Sequence, residues 1–187
     1  MKYEILNSDD NTLFKINNPL VGINFSDVNL IKNKFINSYV YKDGNYIIPN
    51  KLNICVHIRR GDAIKNPNVV NGKSLRFIPT SFYENLIENI NNTIDDNYVI
   101  HICSDGELKH FSNLPKKNVN LLLNKNEFKT YDTMVKCDIL IMGPSLYSIS
   151  AGLLNQKKMF GVNFLRFVNW LNKKYILSSP NDIINLL

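Results

Sequence analysis

The chain has 187 residues, of which 44% are hydrophobic and 20% are charged, and its formal net charge is +6. This profile indicates a globular domain and excludes intrinsically disordered, collagen-like and disulfide-scaffold proteins. The positive charge is spread along the sequence rather than gathered in one block. Because nucleic-acid binders concentrate basic and aromatic residues on one stripe, we expect no nucleic-acid partner and favour a phosphorylated small ligand.

The first 50 residues are rich in Asn and show little periodicity. Residues 26–40 are compatible with one helix, capped by Ser26 or Asp27. We therefore expect residues 1–50 to form a helical attachment to an α/β domain that spans residues 51–187.

From residue 51 onward, short apolar runs alternate with amphipathic stretches, which indicates βα units around a parallel sheet with helices on both faces. The predicted strands are residues 54–58, 98–103, 119–123, 139–142 and, less distinctly, 158–162. A capping box formed by Ser81 and Glu84 predicts a helix that runs to about Asn92. Further helices are predicted at residues 106–111, 130–136, 147–155 and 181–187.

The three cysteines, Cys55, Cys103 and Cys137, stand far apart and form no CxxC pair. This spacing argues against a ribbon-type zinc site and predicts buried, reduced thiols in a cytoplasmic protein. No apolar stretch near Met1 resembles a signal peptide, and the longest apolar segment, residues 139–154, is interrupted by Gly, Pro and Ser. We therefore predict no membrane span.

The first predicted strand leads into His57, Arg59, Arg60, Gly61 and Asp62. Ligands of open α/β sheets bind beyond the carboxyl ends of the strands, so this segment is placed for function. Two guanidinium groups suit a pyrophosphate, because each presents a planar fork of donors. The residues alone leave a second interpretation open, in which both arginines are surface residues paired with nearby acids. Elsewhere, two histidines, one arginine in the long loop after Asp62 and several lysines are interpreted as structural or solvated side chains.

Three segments resemble, in order, the motifs of the superfamily of α1,2- and α1,6-fucosyltransferases and protein O-fucosyltransferases. Residues 57–62 match the HxRRxD motif, and residues 102–105 are similar to the second motif, a strand that ends in Ser or Thr followed by Asp. Residues 132–154 resemble the third motif and are closest in pattern to the α1,2-fucosyltransferases. The matching residues there are Asp132, Met134, Cys137, Ser145, Tyr147, Ser148, Ala151 and Leu154.

The resemblance implies an inverting, metal-independent glycosyltransferase that moves fucose from GDP-fucose to a glycan hydroxyl and uses no cofactor. It implies that residues 51–187 are a Rossmann-like domain similar to the C-terminal, donor-binding domain of GT-B enzymes. Residues 1–50 would then be a reduced acceptor-side segment. The implied partners are a nucleotide-sugar donor, a glycan acceptor and a partner domain or second copy. A non-catalytic GDP-sugar-binding domain, the donor half of a larger transferase and an accidental match stay open as alternatives.

By resemblance, Arg59 and Arg60 hold the β-phosphate and stabilise the departing GDP. His57 and Asp62 order the loop, with His57 near the nucleotide and Asp62 as the third residue of the catalytic set. No metal ligand is implied.

By the same resemblance, Asp105 faces the guanine or the ribose, and Ser145 and Ser148 offer hydroxyls and amides to the diphosphate at a helix N-terminus. The second motif of the family has two consecutive acids, whereas Gly106 follows Asp105 here, so the base preference stays open. Residues 63–80 contain no carboxylate, so the catalytic base stays open as well.

Overall fold

The computed structural model describes residues 4–8, 11–15, 45–65, 69–70, 73–74, 76–95, 97–162 and 176–187. Two short antiparallel pairs stand apart from the main sheet. The first pair is β1 (Glu4–Ser8) with β2 (Asn11–Lys15), which the sequence did not predict. Both strands of this pair lie within residues 1–50, where a helical attachment was expected. The helix predicted for residues 26–40 lies outside the described residues.

The remaining elements follow in chain order. They are β3 (Leu52–His57), α1 (Gly61–Lys65), β4 (Val69–Val70), β5 (Lys73–Ser74), α2 (Thr80–Thr93), β6 (Tyr98–Ser104), a 3-10 helix (Leu108–Phe111), β7 (Val119–Leu123), α3 (Glu127–Lys136), β8 (Ile139–Met142), α4 (Leu146–Leu154), β9 (Lys158–Val162), β10 (Ile176–Leu177) and a second 3-10 helix (Pro180–Asn185). β4 and β5 form the second antiparallel pair.

Six strands form one parallel sheet in the order β10-β9-β8-β3-β6-β7. The chain runs from β3 outward through β6 to β7, and then crosses to β8 on the other side of β3. The strand order therefore reverses between β3 and β8, and such a switch point leaves a crevice at the carboxyl ends of these strands.

Alternating residues of β3 face two separate hydrophobic layers. Ile54 and Val56 pack with Leu86 and Ile90 of α2 on one face. Cys55, between them, packs on the other face with residues of α3 and α4. Helices thus cover both faces of the sheet, and the predicted α/β, Rossmann-like fold is confirmed.

The predicted strands 119–123, 139–142 and 158–162 agree with the structure to the residue. Residues 139–142 are fully buried, as expected of a continuous apolar run in a parallel sheet. The predicted capping box at Ser81 and Glu84 is wrong. α2 begins one residue earlier, at Thr80, and its N-cap Pro79 makes no side-chain bond. The Thr80 hydroxyl is bound by Arg60 instead, at 2.9 Å from Nη2.

Three other helix predictions need correction. α3 begins three residues before the predicted start, because the Asn126 side chain caps it by accepting from the Lys129 N–H at 3.0 Å. The stretches predicted as helices at residues 106–111 and 181–187 are short 3-10 turns. The three cysteines are buried and unpaired, as predicted. No helix in the described ranges is long and apolar enough to span a membrane.

Candidate functional site

A cavity of about 420 Å³ opens at the carboxyl ends of β8, β3, β6 and β7. It lies over the switch point of the sheet, where ligands of doubly wound folds bind, and its volume falls in the range of small-molecule sites. The side chains that line it come from every one of these four strand ends. They are His57, Arg59, Ser104, Asp105, Leu122, Asn124, Lys125, Glu127, Thr130, Ser145 and Tyr147.

Arg59 places a guanidinium group in this cavity, beside the switch point of the sheet. Its Nη1 donates to Ser145 Oγ at 3.3 Å, while Nε and Nη2 donate to the Asp62 carboxylate at 2.9–3.2 Å. Arg76 contacts the same carboxylate from the following loop. Hydrogen bonds from Arg59 and then Arg76 lower the pKa of Asp62, which is half exposed. Asp62 therefore stays ionised and orients the Arg59 fork.

Ser145 caps α4 directly beside Arg59. Its Oγ accepts from the Tyr147 N–H at 3.3 Å, so the hydroxyl, the first amides of the nine-residue helix and the Arg59 guanidinium share one corner. The positive end of the helix dipole favours an anion at this corner. Ser148 does not reach it, since its side chain is fully buried and donates to the Gly143 carbonyl at 3.0 Å. Ser148 thus ties the turn before α4 and does not line the cavity.

Gly143 allows β8 to approach β3 closely at the same corner. A Cβ at this position would lie 2.3 Å from the carbonyl oxygen of His57. Any larger residue would force the two strand ends apart and separate Ser145 from Arg59. The glycine is therefore a requirement of the corner's geometry.

The Arg60 side chain turns away from the cavity, contrary to the expectation of two arginines on one diphosphate. It is 1% exposed, and its guanidinium carbon lies 4.8 Å from the ring centre of Phe77, 5.7 Å from Tyr83 and 5.8 Å from Phe111. Burial lowers the pKa of the guanidinium, which nevertheless stays charged because an arginine titrates far above neutral pH. The aromatic rings replace water around this cation, so its interior position is physically consistent.

Asp105 lines the cavity, yet one of its carboxylate oxygens already has a partner. Oδ1 accepts from the backbone N–H of Arg60 at 2.7 Å. Its other oxygen faces Gly61, whose φ of +22° and lack of a Cβ make room for it. Asp105 therefore holds the loop after β3 and presents only part of its acceptor capacity to a ligand.

His57 forms a neutral wall of the cavity. Its ring centre lies 5.8 Å from that of Tyr147, and its Nδ1 has no hydrogen-bond partner among the described residues. Burial, assisted by the charge of Arg59 and opposed by Asp105, lowers the pKa of His57 to about 4. At neutral pH the imidazole is uncharged, so it adds no charge to the cavity.

The sequence analysis missed the side of the cavity that follows β7. Lys125 and Glu127 line it, and within the described part of the chain neither side chain has a salt bridge. Tyr147 joins the two sides, because its hydroxyl donates to the Glu127 carbonyl. The signal was available, since residues 119–123 were predicted as a parallel strand and the residues after it must lie at the same edge as Arg59.

No family model, curated protein or solved structure matches this chain. In the ranges described above, no group of three or more His, Cys, Asp or Glu side chains is placed to hold a metal ion. The chemistry of the site is accordingly argued from the cavity and its residues.

Proposed function

We propose that the chain binds a nucleoside-diphosphate sugar and transfers the sugar, with inversion, to a glycan hydroxyl; GDP-fucose is the first donor to test. The observation that carries the proposal is the contact between Arg59 and Ser145. These residues are 86 positions apart in the sequence and meet at 3.3 Å on one cavity. Both belong to motifs that resemble those of fucosyltransferases, and their contact places a guanidinium and a helix N-cap together on the cavity.

The corner at Arg59 is suited to a departing diphosphate. When the bond between the anomeric carbon and the phosphate oxygen breaks, the electron pair stays on that oxygen and negative charge grows there. The Arg59 guanidinium, the Ser145 hydroxyl and the first turn of α4 lie together at this corner and would supply donors to that oxygen. Donors fixed before the reaction stabilise such charge without reorganisation, which is the role that a bound cation plays in other transferases.

The acceptor hydroxyl attacks the anomeric carbon from the side opposite the diphosphate and loses its proton. Asp62 is ionised but held by Arg59 and Arg76, and Asp105 is partly held by the Arg60 amide. Glu127 also lines the cavity and, like Asp105, has no salt bridge within the described residues. The proton of the acceptor hydroxyl is therefore assigned to solvent water, and departure of the diphosphate at the Arg59 corner drives the step.

Lys125 and Glu127 form the far wall of the same cavity, on the turn after β7. β7 is two strands from β3, a separation on the order of 10 Å, so this wall is displaced from the diphosphate corner. A lysine donor and a carboxylate acceptor complement a guanine base, which presents the O6 acceptor beside the N2 amino donor. We therefore assign the nucleobase of the donor to this wall.

The engaged state of Asp62 favours one alternative, a domain that binds a GDP-sugar without transferring it. In this alternative Asp62 only orients Arg59, and no base acts on an acceptor. The donor corner and the nucleobase wall have the same roles in both functions. Binding measurements therefore test what the two share, and an activity measurement separates them.

Calorimetric titration with GDP, UDP, ADP and GDP-fucose tests the proposal directly. We expect GDP and GDP-fucose to bind, and GDP release from GDP-fucose over a panel of glycan acceptors to show transfer. Binding without transfer or hydrolysis would favour the non-catalytic domain. If no nucleoside diphosphate binds, both functions are wrong and the motif match is accidental.

A further inference from the structure

The peptide that joins Arg59 to Arg60 has both of its polar groups bound by charged side chains. Its N–H, which belongs to Arg60, donates to Asp105 Oδ1 at 2.7 Å. Its carbonyl, which belongs to Arg59, accepts from Nη1 of the Arg60 guanidinium at 2.9 Å. Neither group is therefore free to turn when the Arg59 side chain is pulled by a ligand.

The peptide on the other side of Arg59 is fixed as well. The Ile58 carbonyl, which belongs to this peptide, accepts from the hydroxyl of Ser104, and the Ile58 N–H, in the preceding peptide, donates to the Cys103 carbonyl at 2.9 Å. Both peptide planes that flank the Cα of Arg59 are consequently held by β6 and by Arg60. The direction in which the Arg59 side chain leaves the backbone is set before any ligand arrives.

Burial of the Arg60 guanidinium is energetically unfavourable and has to be compensated by specific contacts. Moving a cation out of water is unfavourable, and within the described residues the guanidinium forms no salt bridge that would offset it. Its compensation comes from three aromatic rings, from the Arg59 carbonyl and from Thr80 Oγ1 at 2.9 Å. A planar fork of donors can bind the Arg59 carbonyl and the start of α2 at once, which a single amine cannot do in the same geometry.

We propose that Arg60 is a positioning residue and that Arg59 alone carries charge to the diphosphate. The Arg60 side chain fixes the Arg59 carbonyl, Asp105 fixes the other end of the same peptide, and Arg59 is thereby aimed at Ser145. This inference rests on the proposed function, because it assigns a ligand to the corner of Arg59 and Ser145. It differs from the expectation drawn from the motif, in which both arginines hold the phosphate.

The first test uses the unmodified protein, which contains only four arginines. Arginine side chains labelled with ¹⁵N give one Nε signal each, assigned by single Arg→Lys variants. On titration with inorganic pyrophosphate we expect the Arg59 signal to shift and the Arg60 signal to stay in place. A shift of the Arg60 signal as large as that of Arg59 would overturn the proposal.

The second test compares Arg60→Met with Arg59→Met in pyrophosphate binding at low and at high salt. Arg59→Met removes a charge that touches the ligand, so we expect weaker binding with a flattened salt dependence. Arg60→Met removes the hydrogen bonds to the Arg59 carbonyl and to Thr80, together with a buried charge that does not touch the ligand, so we expect roughly tenfold weaker binding at both salt concentrations, with the salt dependence retained. Lys116→Met, an exposed change at the opposite edge of the sheet, is the charge-matched control and should bind like the unmodified protein.

The outcomes separate this inference from the proposed function. If the unmodified protein does not bind pyrophosphate, the donor corner itself is wrong and the role of Arg60 falls with it. If pyrophosphate binds and Arg60→Met flattens the salt dependence as Arg59→Met does, only the positioning role is wrong. Thermal unfolding of each variant shows that it is folded, and the signals of the unmodified protein decide the question should Arg60→Met fail to fold.

Discussion

Two neighbouring arginines of this chain lie in opposite environments, although the sequence presents them as a pair. Arg59 lies in the cavity with Asp62 and Ser145, whereas Arg60 is enclosed by aromatic rings. The rings belong to Phe77, Tyr83 and Phe111, which come from three separate segments. The direction of the Arg60 side chain depends on these rings, which lie outside the motif, so the motif alone was insufficient to assign the two roles.

The substitution Arg59→Met should reduce GDP affinity at least tenfold, because it removes a charge-assisted fork from the diphosphate corner. Its side chain is partly exposed and outside the core, so the melting temperature should change little. Calorimetry and thermal unfolding of the same sample measure both effects. Unchanged GDP affinity would contradict the role of Arg59.

The substitution Glu127→Gln should reduce the preference for GDP over ADP at least tenfold and leave pyrophosphate affinity unchanged. The carboxylate is the proposed acceptor for the guanine amino group, and the amide that replaces it accepts more weakly and carries no charge. Glu88→Gln, on the exposed side of α2, is the matched control. An equal loss of pyrophosphate and GDP affinity would instead show that Glu127 acts only through its charge and does not contact the base.

At the scale of strands and helices, the sequence predicted interiors better than ends. The inner strands β6 and β8 are buried on both faces, so their apolar runs mark them directly. Helix starts depend on whether a polar side chain at the N-cap position reaches an amide. α2 illustrates this dependence, because its N-cap is Pro79, which has no side-chain acceptor, while the hydroxyl of Thr80, the first helical residue, binds Arg60.

The caps of α3 and α4 provide a matched pair of variants. Ser145 and Asn126 each accept a hydrogen bond from a first-turn amide, and loss of either should cost about 1 kcal/mol of stability. Only Ser145 lies in the diphosphate corner, so only Ser145→Ala should also weaken pyrophosphate binding. Urea unfolding and calorimetry on both variants check this difference. Equal binding by Ser145→Ala and Asn126→Ala would remove Ser145 from the site.

At the scale of the whole molecule, two buried histidines make stability depend on pH. His101 lies between Asn53 and Asn120, which are 3.0 and 3.2 Å from its two ring nitrogens, and burial lowers its pKa to about 4. Because Asn53 Nδ2 is already donating to two carbonyls, its Oδ1 must accept from His101 Nε2. The neutral tautomer with a proton on Nε2 is therefore built into the sheet.

We expect the free energy of unfolding to fall as the pH drops from about 6.5 toward 4. In this range the unfolded chain protonates its histidines, while His57 and His101 stay neutral in the folded protein. Linkage gives a loss on the order of 2 kcal/mol per histidine at pH 5 relative to neutral pH. Urea unfolding at pH 7 and pH 5 measures it, and His101→Gln should remove about half of the difference. A pH dependence that His101→Gln leaves unchanged would contradict this assignment.

The position of β3 in the sheet also affects how the protein emerges from the ribosome. β3 pairs on one side with β6 and on the other with β8, whose residues follow some 85 positions later. At the usual rates of synthesis, roughly 4–17 s pass before the second partner is made. During that interval one edge of the central strand is open, and a nascent chain that ends before β8 presents a template for unwanted pairing. A nascent chain is therefore most prone to aggregate if synthesis pauses between β7 and β8. The crossover that causes this exposure is the same one that creates the crevice for a ligand.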